Sequence, residues 1–275
     1  MRGNMHIILL QSPWSTILIR MVASSFLPPS IVQEHLALPA LGTFLKDLNL
    51  MIDFKAIVFD LDGTLIDSLE DIALAANQVL SQMGFPEHSV EAYKTFVGDG
   101  VNVLMHRILP SGVDVDAVSR DFLLQWKDAY AKQWQINTRP YEGILPLVNR
   151  LKDQGYRLGV LSNKPHEFTV ACVQALFPES CFDAVWGLTE GRAKKPDPAA
   201  ALEMVRQWDL EPRDILYVGD TDTDMLTAVN AGFYALGVTW GFRSAEELMG
   251  HGARETIDLP EQLEWLLGGV GKERD

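Results

Sequence analysis

The chain has 275 residues, a formal net charge of −14 and 47% hydrophobic residues, which is enough apolar material for a packed core and excludes a wholly disordered protein. The acidic balance, with no basic stretch to offset it, argues against binding to a nucleic-acid backbone. No apolar run reaches the length of a membrane helix, and two cysteines are too few for a disulfide framework. We therefore predict a globular cytoplasmic protein without nucleic-acid or membrane partners.

The composition changes near Met51. The first fifty residues hold few charged side chains, contain the pair Pro28-Pro29 and have no sustained hydrophobic periodicity. We expect residues 1–50 to be an extension outside the functional fold, which would then start at Met51.

Beyond Met51, short apolar runs alternate with amphipathic helix patterns. Ala56–Phe59 is a continuous apolar run typical of a buried parallel strand. A helix pattern with apolar residues three and four apart follows, and Ser68 and Asp71 are spaced as a capping box at its start. Three more helices are predicted, with no strand between them, near residues 89–96, 101–109 and 114–134.

The alternation resumes after Pro140. The predicted elements are helix 144–154, strand 157–161, helix 166–176, strand 184–186, helix 199–208, strand 215–218, helix 224–230 and strand 234–238. This order is typical of an α/β fold with a doubly wound, parallel (Rossmann-like) sheet. We predict a core formed by residues 51–67 and 140–275, with residues 68–139 as an inserted α-helical cap domain.

Two acidic side chains follow the first predicted strand, where ligands bind in sheets of this kind. Asp60 and Asp62 are separated by one residue, and Gly63 allows the chain to turn away. A divalent cation relieves the repulsion between crowded carboxylates, and one carboxylate can attack an electrophile while the other transfers protons. The alternative is an acidic loop that only caps the next helix.

Polar residues also follow later strands of the predicted core. Ser162 and Asn163 offer hydrogen-bond donors for a phosphoryl oxygen, and Lys195 offers a fixed positive charge. Asp220 ends another strand as a potential metal ligand, and Asp224 lies in the first turn of the next helix. Taken singly, each could equally be a solvated loop residue or a helix cap.

Together these motifs resemble the haloacid dehalogenase superfamily of aspartate-nucleophile phosphatases. The Asp-x-Asp-Gly-Thr sequence at 60–64, Ser162, Lys195-Pro196 and the Gly-Asp-x-x-x-Asp sequence at 219–224 stand in the order of that family. The resemblance covers residues 53–268, and the position of the cap is similar to the helical cap type of the family.

Three further segments are similar to phosphoglycolate phosphatases within that superfamily. These are Val97–Leu104 in the cap, Pro140–Gly143 at the return to the core, and Ser162–Pro165. Glu142 departs from the pattern, since proline is expected there.

The resemblance implies a mechanism with Mg²⁺ as cofactor. Asp60 would be the nucleophile that takes the phosphoryl group, and Asp62 would protonate the leaving alcohol and then activate water. Asp60, the backbone carbonyl of Asp62 and Asp220 would hold the magnesium ion.

The remaining core residues are implied to serve the phosphate. Ser162, Asn163 and Lys195 would bind the phosphoryl oxygens, and Asp224 would orient Lys195 or a metal-bound water.

The resemblance also implies a small phosphorylated metabolite as substrate, with hydrolysis of 2-phosphoglycolate to glycolate and phosphate as the favoured reaction. Specificity then has to come from the cap, for which Gly98, Gly100 and Arg107 are candidates. Trp126 and Tyr130 are predicted to belong to a packed helix stripe rather than to a ligand platform.

Several alternatives stay open. The substrate could be another sugar phosphate, a nucleotide or pyrophosphate. The enzyme could be a β-phosphoglucomutase-like phosphomutase, although Thr64 resembles the phosphatase form of the motif, or the chain could be a non-catalytic regulatory module. Asp62 argues against a dehalogenase, which should lack it. A monomer or a homodimer is expected.

Overall fold

A computed structural model describes residues 53–267, which form one compact unit around a six-stranded sheet. The strands of this sheet are β1 (Ala56–Phe59), β4 (Arg157–Pro165), β5 (Ala184–Leu188), β6 (Ile215–Gly219), β7 (Tyr234–Val238) and β8 (Glu255–Ile257). Their spatial order is β5-β4-β1-β6-β7-β8, and every pair is parallel. The chain places β4 and β5 on one side of β1 and β6 to β8 on the other. The predicted doubly wound α/β class is therefore confirmed, and β8 is an edge strand that the sequence pattern did not indicate.

Helices cover both faces of this sheet. Those of the core are α5 (Ile144–Asp153), α6 (His166–Leu176), α7 (Ala199–Gln207), α8 (Asp222–Ala231), α9 (Ala245–Gly250) and α10 (Gln262–Leu266), with a short 3₁₀ turn at Pro212–Asp214. Successive side chains of β1 point to opposite faces. Ile57 and Phe59 pack in the cluster that contains α5 and α6, whereas Ala56 and Val58 pack in the cluster that contains α7 and α8. Burial on both faces explains why this strand is a continuous apolar run.

The helical insertion begins and ends at one narrow pair of strands. Strand β2 (Ile66–Asp67) pairs antiparallel with β3 (Arg139–Pro140). The helices between them are α1 (Leu69–Gln82), α2 (Val90–Phe96), α3 (Gly100–Ile108) and α4 (Val115–Gln133). The chain thus leaves the core and returns to it side by side, a connection that the sequence pattern did not indicate.

The predicted capping box at the start of α1 is wrong. Ser68 is the N-cap residue, but its side chain makes no cap hydrogen bond; its Oγ donates instead to Asp62. The buried carboxylate of Asp71 accepts hydrogen bonds from the backbone N–H groups and side chains of Asn137 and Thr138, at 2.7 to 3.1 Å. Asp71 therefore bonds to these residues, which are distant in sequence, and not to the backbone at the start of α1. It anchors the segment by which the chain returns from the insertion.

The predicted strand 157–161 is four residues too short. Strand β4 continues to Pro165, and its register with β5 shifts between Leu161 and Pro165. The apolar pattern ends at Leu161 because the next three residues are polar. They are nevertheless buried, which places polar groups inside the protein.

The predicted extension, residues 1–50, lies outside the described part of the chain, and the division into core and cap domains stays a prediction. Within residues 53–267, none of the helices combines the length and the hydrophobicity needed to cross a bilayer.

We expect Asp71→Asn to lower the free energy of unfolding by about 3 kcal/mol, because an amide would place donors against the buried N–H groups of Asn137 and Thr138. Urea unfolding of the full chain measures this. The matched control is Glu70→Gln, since Glu70 is the exposed neighbour of Asp71 and should change the stability by less than about 0.5 kcal/mol. Equal effects of the two substitutions would contradict the anchoring role.

Candidate active site

Three buried carboxylates meet at the carboxyl ends of the central strands. Asp60 follows β1, Asp220 follows β6, and Asp224 lies in the first turn of α8. One carboxylate oxygen from each lies within 4.8 Å of the others. Since β1 and β6 pair directly, their last residues bring Asp60 and Asp220 side by side.

The electrostatics of this cluster favour a cation. Burial, with the charge of Asp224 adding to it, raises the pKa of Asp60 to about 7. Burial and the charges of Asp224 and Asp60 also raise the pKa of Asp220 well above its usual value. A hard cation such as Mg²⁺ prefers carboxylate oxygens, so this donor set fits the predicted metal.

Lys195 supplies a positive charge that partly balances the three carboxylates. Its Nζ donates to Asp60 Oδ1 and to Asp224 Oδ1, both at 2.7 Å, and its side chain is 3% exposed. Burial alone would lower the pKa of Lys195, but the charges of Asp224 and Asp60 outweigh it and hold the pKa well above the usual value. An ammonium has three N–H groups, so one is left for a further acceptor.

Asp224 positions Lys195. Its second oxygen, Oδ2, accepts from the backbone N–H and the hydroxyl of Thr221, at 3.0 and 2.7 Å. Thr221 and Asp224 form the capping box of α8. Of the two predicted contacts of Asp224, the contact with Lys195 is present.

The carboxylate of Asp220 is fixed by two hydrogen bonds and has glycine residues packed against it. Its Oδ1 accepts from Thr64 Oγ1 and its Oδ2 from the backbone N–H of Phe242, both at 2.8 Å. A Cβ atom at Gly63 or Gly241 would collide with this carboxylate. The glycine of the Asp-x-Asp-Gly-Thr motif therefore makes room for Asp220 as well as turning the chain, with a φ of 91°.

Asp62 forms a second acid–lysine pair on the other side of Asp60. Its Oδ1 accepts from Ser68 Oγ at 2.5 Å and from Lys164 Nζ at 2.7 Å. Its Oδ2 accepts no hydrogen bond from any residue in 53–267. Lys164 was not among the predicted site residues, although it belongs to the Ser162–Pro165 segment that resembles phosphoglycolate phosphatases.

Ser162 and Asn163 lie in the extended end of β4. The Oγ of Ser162 accepts from the backbone N–H of Lys164 at 3.2 Å. The side chain of Asn163 accepts from the N–H of Lys195 at 3.0 Å and donates to the carbonyls of Lys195 and Gly98 at 3.2 Å. Asn163 thus connects the loop that carries Lys195, which we name the lysine loop, to the insertion.

A cavity lies between the strand ends and the helical insertion. Its lining residues are Asp60, Asp62, Ser162, Asn163, Lys164 and Pro165 from the core, and Ile72, Val97, Gly98, Gly100, Val101, Leu104 and Trp126 from the insertion. Gly98 and Gly100 adopt positive φ angles of 125° and 77°. Trp126 belongs to the predicted packed stripe and in addition contributes to this wall.

Arg107, the third predicted specificity residue, does not line this cavity. Its guanidinium donates to the carbonyl of Phe96 at 2.9 Å and to Asp99 Oδ2 at 2.6 Å. Arg107 shapes the segment that carries Gly98 and Gly100, while those two glycines contact the cavity directly.

Core side chains hold the edge of the insertion, residues 94–100, which we name the cap rim. Arg243 donates to the carbonyls of Lys94 and Val97. Lys194 Nζ donates to the carbonyl of Asp99 at 3.0 Å, and Thr223 Oγ1 donates to Asp99 Oδ1 at 2.7 Å. None of these contacts was predicted from the sequence.

A comparison with known families agrees with this geometry. The family model described as haloacid dehalogenase-like hydrolase matches residues 57–238, a range that contains the three clustered carboxylates, Asp62 and both buried lysines. The chain belongs to the haloacid dehalogenase-like hydrolase family.

This hydrolase is similar to phosphoglycolate phosphatases. One from Pseudomonas putida is 33% identical over 208 residues, which cover 74% of this chain and 76% of the relative. One from Nitrosospira multiformis is 31% identical over 204 residues, 73% of this chain and 90% of the relative. The crystal structure of a candidate phosphoglycolate phosphatase from Lactobacillus delbrueckii subsp. bulgaricus has a TM-score of 0.74 at 34% identity and covers 79% of this chain and 100% of that chain. The predicted class, a phosphoric monoester hydrolase, is confirmed.

In this hydrolase, Gly241→Ala should weaken Mg²⁺ binding about tenfold or more, because the added methyl group displaces Asp220. Isothermal titration of the protein with Mg²⁺ measures the affinity. Gly250→Ala is the matched control, since a Cβ there meets open space. Unchanged affinity in the Gly241 variant would contradict the assignment of Asp220 as a metal ligand.

Proposed function

We propose that this chain hydrolyses 2-phosphoglycolate to glycolate and phosphate through an aspartyl phosphate on Asp60. The observation that carries the proposal is the pair of acid–lysine contacts at one cavity: Lys195 holds Asp60, and Lys164 holds Asp62. One acid is thereby placed to attack and the other to transfer protons. The similarity to phosphoglycolate phosphatases supports the choice of substrate.

In the first step, Asp60 Oδ2 attacks the phosphorus atom while Lys195 holds Oδ1. A bond forms between phosphorus and Oδ2, and the bond from phosphorus to the ester oxygen breaks. Asp62 donates its proton to that leaving oxygen, so that glycolate departs with a hydroxyl group. The free N–H of Lys195 and the hydroxyl of Ser162 stabilise the charge on the phosphoryl oxygens.

In the second step, Asp62 takes a proton from a water molecule, whose oxygen attacks the phosphorus atom. The bond from phosphorus to Asp60 breaks, which releases phosphate and returns both carboxyl groups to their starting state. The side chain of Asn163 is already bonded to the backbone of Lys195 and to Gly98. Its contribution is therefore to position the lysine loop, and any contact with phosphate would come from its backbone N–H.

Asp60, Asp220 and the backbone carbonyl of Asp62 would hold Mg²⁺, which when bound neutralises charge on the phosphoryl group and on the carboxylates. This charge matters because an anionic carboxylate attacks an anionic phosphate ester, and Lys195 already shares its charge with Asp60 and Asp224.

The substrate is tested by measuring phosphate release from 2-phosphoglycolate, a hexose phosphate, a nucleoside monophosphate and pyrophosphate, each with Mg²⁺ and with a chelator. We expect the highest kcat/KM for 2-phosphoglycolate and loss of release from every ester when the metal is removed. A higher kcat/KM for another compound would reassign the substrate. Transfer of the phosphoryl group between sugar hydroxyls without release would instead indicate a phosphomutase.

The two acids should differ in how their loss affects turnover. Asp60→Asn should lower kcat roughly a thousandfold or more, since the nucleophile is gone. Asp62→Asn should slow turnover while phosphorylated protein accumulates, because the amide cannot activate water. Intact-mass spectrometry after mixing with substrate distinguishes the two, and Asp53→Asn, at an exposed position, is the control. A phosphorylated Asp60 variant would rule out Asp60 as the nucleophile.

A further inference from the structure

The proposed mechanism uses Lys164 only as a partner of Asp62, yet this lysine has unused hydrogen-bonding capacity. Its Nζ donates to Asp62 Oδ1 at 2.7 Å and its side chain is 3% exposed. Among residues 53–267 its near polar neighbours are Asp62 and the hydroxyl of Tyr130, so at least one of its three N–H groups is left for a further acceptor. Burial alone would lower the pKa of Lys164, but the charge and hydrogen bond of Asp62, together with Tyr130 and Cys172, outweigh it and the net shift is upward. The site thus contains a buried ammonium group whose hydrogen bonds are incomplete.

The aromatic side chains of Tyr130 and Trp126 lie beside this ammonium group. Lys164 Nζ lies over the ring of Tyr130, 4.7 Å from its centroid, and Trp126 stacks on Tyr130 with ring centroids 5.0 Å apart. Trp126 lines the cavity, and its buried indole N–H has no partner among the described residues. A buried donor without a partner is costly, so both Lys164 and Trp126 have donors available for a ligand.

The rest of the cap wall is apolar. Its side chains are those of Ile72, Val97, Val101 and Leu104, and Gly98 and Gly100 add only backbone groups. A ligand group that lies between Asp62 and the cap wall therefore meets few polar side-chain groups other than the Lys164 ammonium and the indole N–H of Trp126.

We propose that Lys164, with the indole N–H of Trp126, binds a carboxylate on the leaving group and so selects phosphate esters of small hydroxy acids. This inference rests on the proposed function and assigns its specificity to named side chains. Asp62 meets the ester oxygen, Lys164 is hydrogen-bonded to Asp62, and in 2-phosphoglycolate a single carbon separates the ester oxygen from the carboxylate.

The charges on the two sides of the cavity fit such a substrate. Lys195 faces the phosphoryl end through Asp60, and Lys164 faces the leaving-group end through Asp62. The N–H groups of Lys164 that do not donate to Asp62 would donate to a carboxylate on the leaving group, which also balances the lysine charge. An uncharged leaving group would leave buried donors unfilled, which is the strongest basis for rejecting an analogue.

The test compares two substrates of nearly equal size, 2-phosphoglycolate and 2-hydroxyethyl phosphate, in which a hydroxymethyl group replaces the carboxylate. Lys164→Met should lower the ratio of their kcat/KM values roughly thirtyfold or more. A decrease in kcat/KM that is caused by the changed surroundings of Asp62 affects both substrates equally, so it cancels in the ratio. Glycolate should also become a weaker competitive inhibitor of the variant than of the native protein.

Two further variants complete the design. Trp126→Phe should lower the same ratio severalfold and serves as the test if Lys164→Met does not fold. Lys132→Met removes an exposed lysine and should leave the ratio unchanged. Equal losses on both substrates, or no loss, would overturn the carboxylate site. If the native protein instead prefers a different carboxylated ester and Lys164→Met removes that preference, the proposed substrate fails while the carboxylate site stands.

Discussion

Crowded negative charge in a buried place is the constraint on which this active site depends. Asp60, Asp220 and Asp224 lie within 4.8 Å of one another by their carboxylate oxygens, where water cannot screen their repulsion. Lys195 offsets part of this repulsion, but burial, with the repulsion adding to it, still raises the pKa values of Asp60 and Asp220. Such a cluster favours a bound cation, and in the proposed function that cation would let an anionic ester approach.

The surroundings of the cluster follow from the same constraint. Gly63 and Gly241 leave space for the carboxylate of Asp220, while Thr64 and the N–H of Phe242 fix its two oxygens. Each contact prevents the carboxylates from moving apart, which is the motion that would relieve their repulsion. Holding like charges close together costs stability, and such costs are common where residues serve function.

Sequence patterns predicted most of the fold because burial on two faces produces unbroken apolar runs such as Ala56–Phe59. Asp60 and Asp220 could be found because each directly follows such a run. Lys164 could not, since its strand continues past the apolar residues and its partner Asp62 lies 102 positions away. The capping box at Ser68 failed for a related reason: local spacing does not reveal that a side chain has a better partner elsewhere in the fold.

The contacts of the cap rim have a consequence for how such enzymes diversify. Arg243, Lys194 and Asn163 all donate to main-chain carbonyls of the rim, those of Lys94, Val97, Gly98 and Asp99. Carbonyl groups are the same whatever side chain a residue carries, so these contacts do not depend on the sequence of the rim, whereas the bond from Thr223 to the Asp99 carboxylate does. Side chains that face the cavity, such as those of Val97 and Val101, can therefore change without loss of these backbone contacts between the core and the insertion.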